Sequence, residues 1–489
     1  MKKLLIIVSM TIAASVAAQV SPLDYGLREA TSDMGRYFAL YNAHVAALQQ
    51  GTTVSYEGID TLDIELPPSF KTIPLAPQTD FGGLVIYVTN HARHGSLFGM
   101  SNSWTELPHL DKTIVDSGDY SSVPELAEGD KLLLLNDRTP WTERRGYGYS
   151  TNRQDLIWIH NGYAQNIPAA PWNTDTTDLQ ASYTEADTTL KVFRGLTMHR
   201  VKGSTFRTGC LSMNGVCNVL IEDIHVTTPK SKLIADGVFS ISKSARITFR
   251  DVTVDGTYSG YGATRNYGYA FSLSTLYDTR FEHVAARGNW GVFGSNYMNK
   301  TALYYCDIDR FDIHCYGRDV YLKGCRLSKR QTSVTSVYGT VRLDSCHFVD
   351  YTPVAVRSSY NAYTPFDIEL HDCTFELTPR YHAVVCVNLL DTADNPRPEL
   401  KEKCLPNLTI DGLTVVVPLT VGRLDLFNLD GPRSELQRLW GHIGQVNVKG
   451  LRLTRKSGRE VRIPVHISSR PFNTRNEINY SFENATVLQ

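Results

Sequence analysis

The sequence predicts an all-β protein: a right-handed parallel β-helix with an N-terminal capping helix. The main observation is a pattern that recurs from residue 190 onward, in which two apolar residues two apart, a polar pair and two further apolar residues follow one another. One clear copy consists of Val219, Ile221, Ile224 and Val226. Alternation with a period of two is typical of strands, and a polar pair between two such runs indicates a bend. Each copy is therefore expected to be one coil of stacked parallel strands.

The third apolar residue of each copy serves as an anchor whose spacing can be followed along the chain. The anchors are Leu196, Ile224, Val252, Val284, Cys306, Cys325, Cys346, Cys373, Leu413 and Leu451. Successive anchors lie 19 to 40 residues apart, as expected for coils that carry loop insertions. A β-propeller would need four antiparallel strands in each regular repeat of ~40–50 residues, so the pattern favours the β-helix.

The cysteines support this interpretation. The chain has 9 Cys, an odd number, and four of them occupy anchor positions: Cys306, Cys325, Cys346 and Cys373. Free cysteine packs as a small apolar residue, so these four are predicted to form a buried ladder of thiols, without bridges and without a metal. Cys210 and Cys217 could form a disulfide, although nothing in the sequence requires one.

The N-terminal region predicts export followed by a capping helix. Lys2 and Lys3 precede an apolar run and the small residues Val16-Ala17-Ala18, which is the pattern of a bacterial signal peptide. Ser21-Pro22 resembles a helix start. An apolar stripe at helical spacing follows it: Leu27, Met34, Phe38, Tyr41, Val45 and Leu48. The mature protein is expected in the periplasm or the medium, as a monomer without a membrane span.

These features divide the chain into five predicted parts. They are a signal peptide (1–18), the capping helix (19–50), early coils with long inserts (51–190), the main β-helix with a catalytic groove (191–455) and a closing segment (456–489). Strands within the early part are expected at Leu84–Val88, Leu132–Leu135 and Leu156–His160.

Composition excludes some partners and favours others. The chain has 49 Lys+Arg against 50 Asp+Glu, which argues against a nucleic-acid-binding protein. Residues 265–330 depart from this balance, with ten basic residues against six acidic ones. Tyrosines are frequent in and beside this region. Positive charge combined with aromatic side chains suits an extended anionic polysaccharide.

The most informative stretch for chemistry is residues 311–318. If Ile313 and Cys315 point inward in a strand, the even-numbered residues share the outer face. These residues are Asp312, His314, Tyr316 and Arg318. Asp312 would then orient the ring of His314 and raise its pKa. The coil that contains them is the shortest, and the longer neighbouring coils could form the walls of a groove.

The sequence resembles the β-helical polysaccharide lyases secreted by carbohydrate-degrading bacteria. The resemblance covers the signal peptide, the capping helix followed by Asp80-Phe81-Gly82-Gly83, and the ladder of coils. Among these enzymes, it is nearest to the lyases that act on chondroitin sulfate or hyaluronan. The resemblance implies β-elimination at a uronate, with an anionic polysaccharide as substrate and without a cofactor.

This reaction needs a base at C5 of the uronate, an acid at the leaving oxygen and a group that neutralises the carboxylate. We expect His314 to be the base and Tyr316 the acid, although the two roles could be exchanged. Arg318 and Arg265 would bind the carboxylate or a sulfate through bidentate contacts. Asn289, from the preceding coil, is a further candidate for neutralising the carboxylate.

Four alternatives remain open from the sequence. A Ca²⁺-dependent lyase of the pectate or alginate type would use acids such as Asp307, Asp309, Asp312 and Asp319 as oxygen ligands. An epimerase would share most of the lyase residues. A glycoside hydrolase needs a pair of carboxyl groups, and the chain has no Asp-Asp pair. A glycan-binding protein without activity would need the aromatic and basic residues but not His314 with Tyr316.

Overall fold

The computed structural model describes residues 19–90, 95–144, 149–169, 172, 178–201, 208–231, 237–258, 269–287, 291–328, 332–334, 337–349, 352–357, 366–380, 382–388, 406–430, 445–467 and 480–483. The predicted signal peptide, Arg265 and Asn289 lie outside these residues. For some strand residues, among them His314, Cys315 and Tyr316, the backbone is described but the side chain is not.

The described residues are mostly β-strands, with two α-helices, α1 (Asp33–Gln50) and α2 (Lys112–Ser117). In chain order the strands are β1 (Thr61–Leu66), β2 (Ile73–Pro74), β3 (Gln78–Asn90), β4 (Gly95–Ser101), β5 (Thr105–Glu106), β6 (Asp130–Arg144), β7 (Tyr149–His160), β8 (Tyr163–Ala164), β9 (Leu179–Glu185), β10 (Lys191–Arg200), β11 (Thr208–Asn214), β12 (Cys217–Ser231), β13 (Phe239–Arg250), β14 (Thr253–Tyr258), β15 (Tyr269–Glu282), β16 (Ala285–Arg287), β17 (Gly291–Tyr304), β18 (Asp307–Ile308), β19 (Phe311–Lys323), β20 (Arg326–Ser328), β21 (Thr332–Val334), β22 (Val337–Asp344), β23 (His347–Val349), β24 (Val354–Arg357), β25 (Phe366–Glu376), β26 (Ala383–Asn388), β27 (Asn407–Val416), β28 (Leu424–Asp430), β29 (Val446–Thr454), β30 (Val465–Ile467) and β31 (Tyr480–Glu483).

Twenty-six of these strands form one parallel sheet, in which most strands pair with the strand two places later in the sequence. Through β12 and β13, for example, Val219 pairs with Ile247 and Ile221 with Phe249. The apolar residues of the six copies that begin at residues 219, 247, 320, 341, 368 and 408 are at most 3% exposed. The predicted ladder of parallel strands with a continuous apolar core is confirmed for the described residues.

A residue with left-handed backbone geometry comes immediately before every anchor. These residues are Gly195, Asp223, Asp251, His283, Tyr305, Gly324, Ser345, Asp372, Gly412 and Gly450, with φ between 50° and 82°. A single left-handed residue turns the chain sharply between two extended segments, which accounts for the bend predicted from the polar pair. Each coil therefore contains a left-handed corner residue that is followed directly by its anchor.

The four anchor cysteines are buried thiols. Each is at most 2% exposed and unbridged. Each Sγ donates to a carbonyl oxygen one repeat earlier, from Cys306 to Phe281 at 3.6 Å and from Cys373 to Leu343 at 3.2 Å. The predicted ladder of thiols is therefore confirmed. Cys210 and Cys217 are also free, so the disulfide considered from the sequence is not formed.

The N-terminal helix begins later than its sequence indicated. Ser21 caps only a 3-10 turn, Pro22–Tyr25, which Gly26 ends with a φ of 90°. Ser32 is the N-cap of α1, because its side chain accepts a hydrogen bond from the backbone N–H of Gly35. The predicted helix start at Ser21 was therefore wrong by about three turns.

The face that α1 buries also differs from the predicted apolar stripe. Phe38 and Leu48, two members of that stripe, are 47% and 41% exposed. The buried face contains Tyr37, Leu40, Ala43, His44 and Ala47 instead. The Tyr37 hydroxyl donates to the carbonyl oxygen of Lys71 at 2.6 Å, and small alanines allow the helix to approach the first strands closely. These contacts fix the rotation of the helix.

Residues 105–185 contribute a separate five-stranded antiparallel sheet in the order β5-β9-β6-β7-β8. Leu132–Leu135 and Leu156–His160 are strands, as expected, but they pair antiparallel with each other and not with the parallel sheet. Leu132, Leu156 and Trp158 from this sheet pack against Ala245 and Tyr277 of β13 and β15. Among the described residues, no helix is long and apolar enough to cross a bilayer.

Candidate active site

The strand that carries the predicted active-site residues, β19, contains a β-bulge. Consecutive residues Ser295 and Asn296 on β17 pair with Ile313 and Cys315, so His314 is the additional residue on β19. A bulge leaves its extra residue outside the ladder and bends the strand, and bulges are frequent next to active sites. The strict even–odd alternation assumed from the sequence does not hold through this segment.

Asp312 does not lie on an accessible outer face. Its side chain is 0% exposed and forms an ion pair with Arg310 at 2.7 Å. Arg310 is itself buried and also donates to the Ser333 hydroxyl at 3.4 Å. The prediction that Asp312 faces solvent was therefore wrong, because the carboxylate is enclosed with its own counter-ion. Ile313 is buried, as predicted.

Four of the other predicted site residues have side chains outside the described part of the structure. His314 and Tyr316 belong to β19 by backbone, and their side chains lie outside the described part of the structure. Arg265 lies outside the described residues altogether, as does Asn289. Their roles therefore remain predictions.

Arg318 is half-buried between the parallel sheet and the antiparallel sheet. Its Nε donates to the carbonyl oxygen of Pro168 at 3.0 Å, and its guanidinium carbon lies 5.9 Å from the centre of the Tyr338 ring. Its register neighbour Asn299 donates to Ile167 O at 2.6 Å. Among the described residues, no carboxylate forms an ion pair with Arg318.

A buried polar network holds the hairpin β6–β7 rigidly beside the strand that contains the bulge. Asp137 and Arg153 form an ion pair at 3.3 Å, and both side chains are 0% exposed. Arg153 also lies 4.3 Å from the Trp172 ring centre. On the side of the parallel sheet, Tyr297 on β17 donates to the carbonyl oxygen of Asn152 at 2.6 Å. The hydrogen bond from Tyr297 therefore connects the hairpin at residues 152–153 to β17.

Two columns of small polar residues run across the strands on the same side of the sheet. The first consists of Gly99, Ser212, Ser240, Ser272 and Gly294, and the second of Ser101, Asn214, Ser242, Ser274 and Asn296. Asn296 pairs with Cys315, so the second column leads in register to the bulge. From Ser101 to Asn296 the second column spans four strand spacings of ~4.8 Å, about 19 Å in all.

A cavity of about 830 Å³ opens over the N-terminal part of these columns, and we call it the serine groove. Its lining includes Ser212, Asn214, Ser240, Ser242, Ser272 and Ser274. None of these groove residues was predicted from the sequence. A recurring pattern in the sequence could have indicated them, because a serine is followed two residues later by serine or asparagine at 212–214, 240–242 and 272–274.

Many basic residues of the region with excess positive charge already have acidic partners. Arg287 pairs with Asp307, and Lys300 pairs with Asp278 at 3.2 Å. These pairs lie at the surface and reduce the charge available to a ligand. Arg318 differs from them, since its described contacts are a carbonyl oxygen and a ring.

Each acid considered as a Ca²⁺ ligand has a partner within the protein, and for Asp309 this partner is the Ser328 hydroxyl at 3.4 Å. Asp307 pairs with Arg287, Asp312 pairs with Arg310, and Asp319 accepts the backbone N–H of Thr340 at 3.1 Å. Among the described residues, no group of three or more His, Cys, Asp or Glu side chains could hold a metal ion.

Comparisons with known proteins give distant structural similarities only. No protein-family profile matches the sequence, and no curated protein is detectably similar to it. The tailspike gp49 of Pseudomonas phage LKA1 has a TM-score of 0.47 at 13% identity over 89% of this chain and 83% of its own. The tailspike gp54 of Acinetobacter baumannii bacteriophage AP22, solved with a capsular saccharide, has a TM-score of 0.47 at 11% identity over 91% of this chain and 74% of its own. The A-module of the Azotobacter vinelandii mannuronan C-5 epimerase AlgE6 has a TM-score of 0.32 at 10% identity over 85% of this chain and 100% of its own.

Proposed function

We propose that this protein is a polysaccharide lyase that cleaves a uronate-containing polymer by β-elimination, on a right-handed parallel β-helix. The observation that carries the proposal is the polar column that ends, in register, at the bulge around His314. An extended groove of hydroxyl and amide groups suits a polymer of sugars, and the bulge sets His314 apart from the regular strand.

The proposed reaction divides the work among residues of β19. His314 removes the proton at C5 of the uronate, and Tyr316 donates a proton to the oxygen of the departing sugar, with the two roles open to exchange. The C5 proton becomes acidic enough only when the neighbouring carboxylate is held by positive charge or hydrogen-bond donors. The guanidinium of Arg318 fits this task, because no described carboxylate neutralises it.

Residues on adjacent segments could complete the carboxylate site. Asn296 on β17 pairs in register with Cys315 on β19, next to the bulge, and its amide group lies at this end of the second column. Arg265 and Asn289 remain proposed contributors, as their sequence positions indicate. Pro168 O fixes one nitrogen of Arg318 at 3.0 Å, which orients the guanidinium before the substrate binds.

The substrate we favour is a glycosaminoglycan of the chondroitin sulfate or hyaluronan type. The test is incubation of the protein with hyaluronan, chondroitin sulfate, alginate and polygalacturonate, with and without a chelator. Elimination creates an unsaturated uronate that absorbs in the ultraviolet, together with one new reducing end per cut. New reducing ends without this absorbance would show hydrolysis and overturn the proposal, while loss of the reaction with a chelator would add a required metal.

A further inference from the structure

The serine groove has few charged side chains, although such side chains are frequent on the rest of the described surface. The charged side chains among its described lining are Asp187 and Lys191, which pair with each other at 2.8 Å. The Lys191 side chain is 6% exposed, and its ammonium group also donates to the carbonyl oxygens of Thr189 at 3.1 Å and Cys217 at 3.2 Å. Because the Asp187 carboxylate and these carbonyl oxygens already occupy the ammonium group, Lys191 does not offer a cation to a ligand in the groove.

The same strands carry dense charge on another face. Arg194, Glu222, Arg250 and Glu282 follow one another in register on β10, β12, β13 and β15. Ser240 and Ser242 belong to the same strand as Arg250. The absence of charge is therefore a property of the groove itself and does not extend to this part of the chain as a whole.

The polar groups in the groove are held in a fixed orientation. The Trp104 Nε1 donates to Asn214 Oδ1 at 3.0 Å, and Asn214 Nδ2 donates to the Ser242 hydroxyl at 2.8 Å. Because the Ser242 hydroxyl oxygen accepts this hydrogen bond, its O–H can still donate to another acceptor. A hydroxyl oxygen, a ring oxygen or an acetamido carbonyl of a sugar is a suitable acceptor.

We infer that the serine groove binds uncharged sugar residues of the polymer, and that the substrate is therefore a heteropolysaccharide in which neutral residues accompany the uronate. This inference rests on the proposed function and narrows its substrate class. A uronate carboxylate placed in the groove would lose water without gaining a cation, which is unfavourable. Homopolymers of uronate are thus poor ligands for this surface.

The first test is affinity electrophoresis in native gels that contain hyaluronan, alginate or polygalacturonate. We expect hyaluronan, which alternates an N-acetylhexosamine with a uronate, to retard the protein. Alginate and polygalacturonate, in which every residue is a uronate, should leave its mobility unchanged. Retardation by either of these two polymers that equals or exceeds retardation by hyaluronan would overturn the inference, and so would the absence of retardation in all three gels.

The second test compares two side chains of similar length at one position in the groove. Ser240→Lys and Ser240→Met should weaken binding of hyaluronan equally, by roughly tenfold, because each fills the groove. Thr248→Lys and Thr248→Met, on the same strand but outside the groove lining, are the matched controls and should leave binding unchanged. Tighter binding by Ser240→Lys than by Ser240→Met at low salt would show a carboxylate in the groove and overturn the inference.

The two proposals fail in different ways. If hyaluronan retarded the protein but gave no unsaturated product, the lyase assignment would be wrong and the inference about the serine groove would stand. If polygalacturonate gave unsaturated product and Ser240→Lys bound the polymer more tightly than Ser240→Met, the inference about the serine groove would be wrong and the lyase assignment would stand.

Discussion

Arg250 on β13 donates from its Nε to the carboxylate of Glu282 on β15 at 2.8 Å. Its NH1 also lies 3.3 Å from Glu222 on β12. One guanidinium thus joins three successive strands. These side chains are 21% to 40% exposed, so each pair is screened by solvent and salt.

Replacement of Arg250 should lower the free energy of unfolding by a modest amount. We expect Arg250→Ala to lower the free energy of unfolding by about 0.5–1.5 kcal/mol at low salt, and by less at high salt. Denaturant titrations at two salt concentrations measure this difference. Arg452→Ala, which removes an isolated exposed pair with Glu460, is the control and should have a smaller effect. An equal loss in both variants would contradict a special role for the joined strands.

The column of left-handed corners should tolerate side chains poorly where glycine now stands. Gly412 has a φ of 82°, and a Cβ there would meet the backbone nitrogen of Asp372 at 3.2 Å. Gly412→Ala should lower the free energy of unfolding by about 1–2 kcal/mol. Gly422→Ala is the matched control, because a Cβ at Gly422 meets nothing within 4 Å. Equal stability of the two variants would show that the corner is not strained by a side chain.

His44 should make the N-terminal cap sensitive to acid. Burial lowers the pKa of His44 from 6.5 to about 3, and its Nε2 lies 2.6 Å from the Tyr56 hydroxyl. Between these two pH values the unfolded chain binds a proton that the folded protein excludes. Stability contributed by neutral His44 is therefore full above pH ~6.5 and is lost as the pH falls, by at most about 1.4 kcal/mol per unit.

Unfolding measured at several pH values, in the wild type and in His44→Gln, tests this prediction. The variant should be less stable at neutral pH, with a weaker dependence on pH between about 6.5 and 3. An unchanged slope in the variant would show that other groups cause the acid sensitivity.

The thiol ladder should be unreactive in the folded protein. The hydrogen bonds that Cys306 and Cys346 share with Cys325 raise the pKa of these two thiols and lower the pKa of Cys325, while burial raises the pKa of all three, so the protection expected here rests on burial. These thiols are at most 2% exposed. Alkylation under native conditions, mapped by mass spectrometry, should leave the four anchor cysteines unmodified until the protein is unfolded. Modification of any of the four at the rate of the unfolded chain would contradict the buried ladder.

The repeat was predictable because its signal is local and repeated. Each anchor is an apolar residue that follows a corner, and eight of the ten corners are Gly, Asp or Ser, whatever the loops between them contain. The rotation of α1 was not predictable in this way. Its stripe through Phe38 and Leu48 is regular, but the contact of Tyr37 with Lys71 and the small alanines decide which face is buried.

The candidate site was only partly accessible from sequence. Period-two alternation assigned Asp312 to the outer face, and the sequence contains no sign of the bulge that interrupts β19. The enclosure of Asp312 with Arg310 depends on tertiary contacts such as Ser333, which is twenty-one residues later in the chain. The serine columns could have been found, because their spacing follows the anchors, but isolated serines carry little signal until strands align them.

The central claim is that β19 performs proton transfer on a uronate, and the rate of unsaturated product tests it most directly. His314→Ala and Tyr316→Phe should each reduce this rate by about 10²–10⁴-fold while the polymer still binds. His225→Ala and Tyr305→Phe, which alter an ion-paired histidine and an exposed tyrosine elsewhere, are the matched controls and should retain the wild-type rate. Near-normal rates in both β19 variants would contradict the account.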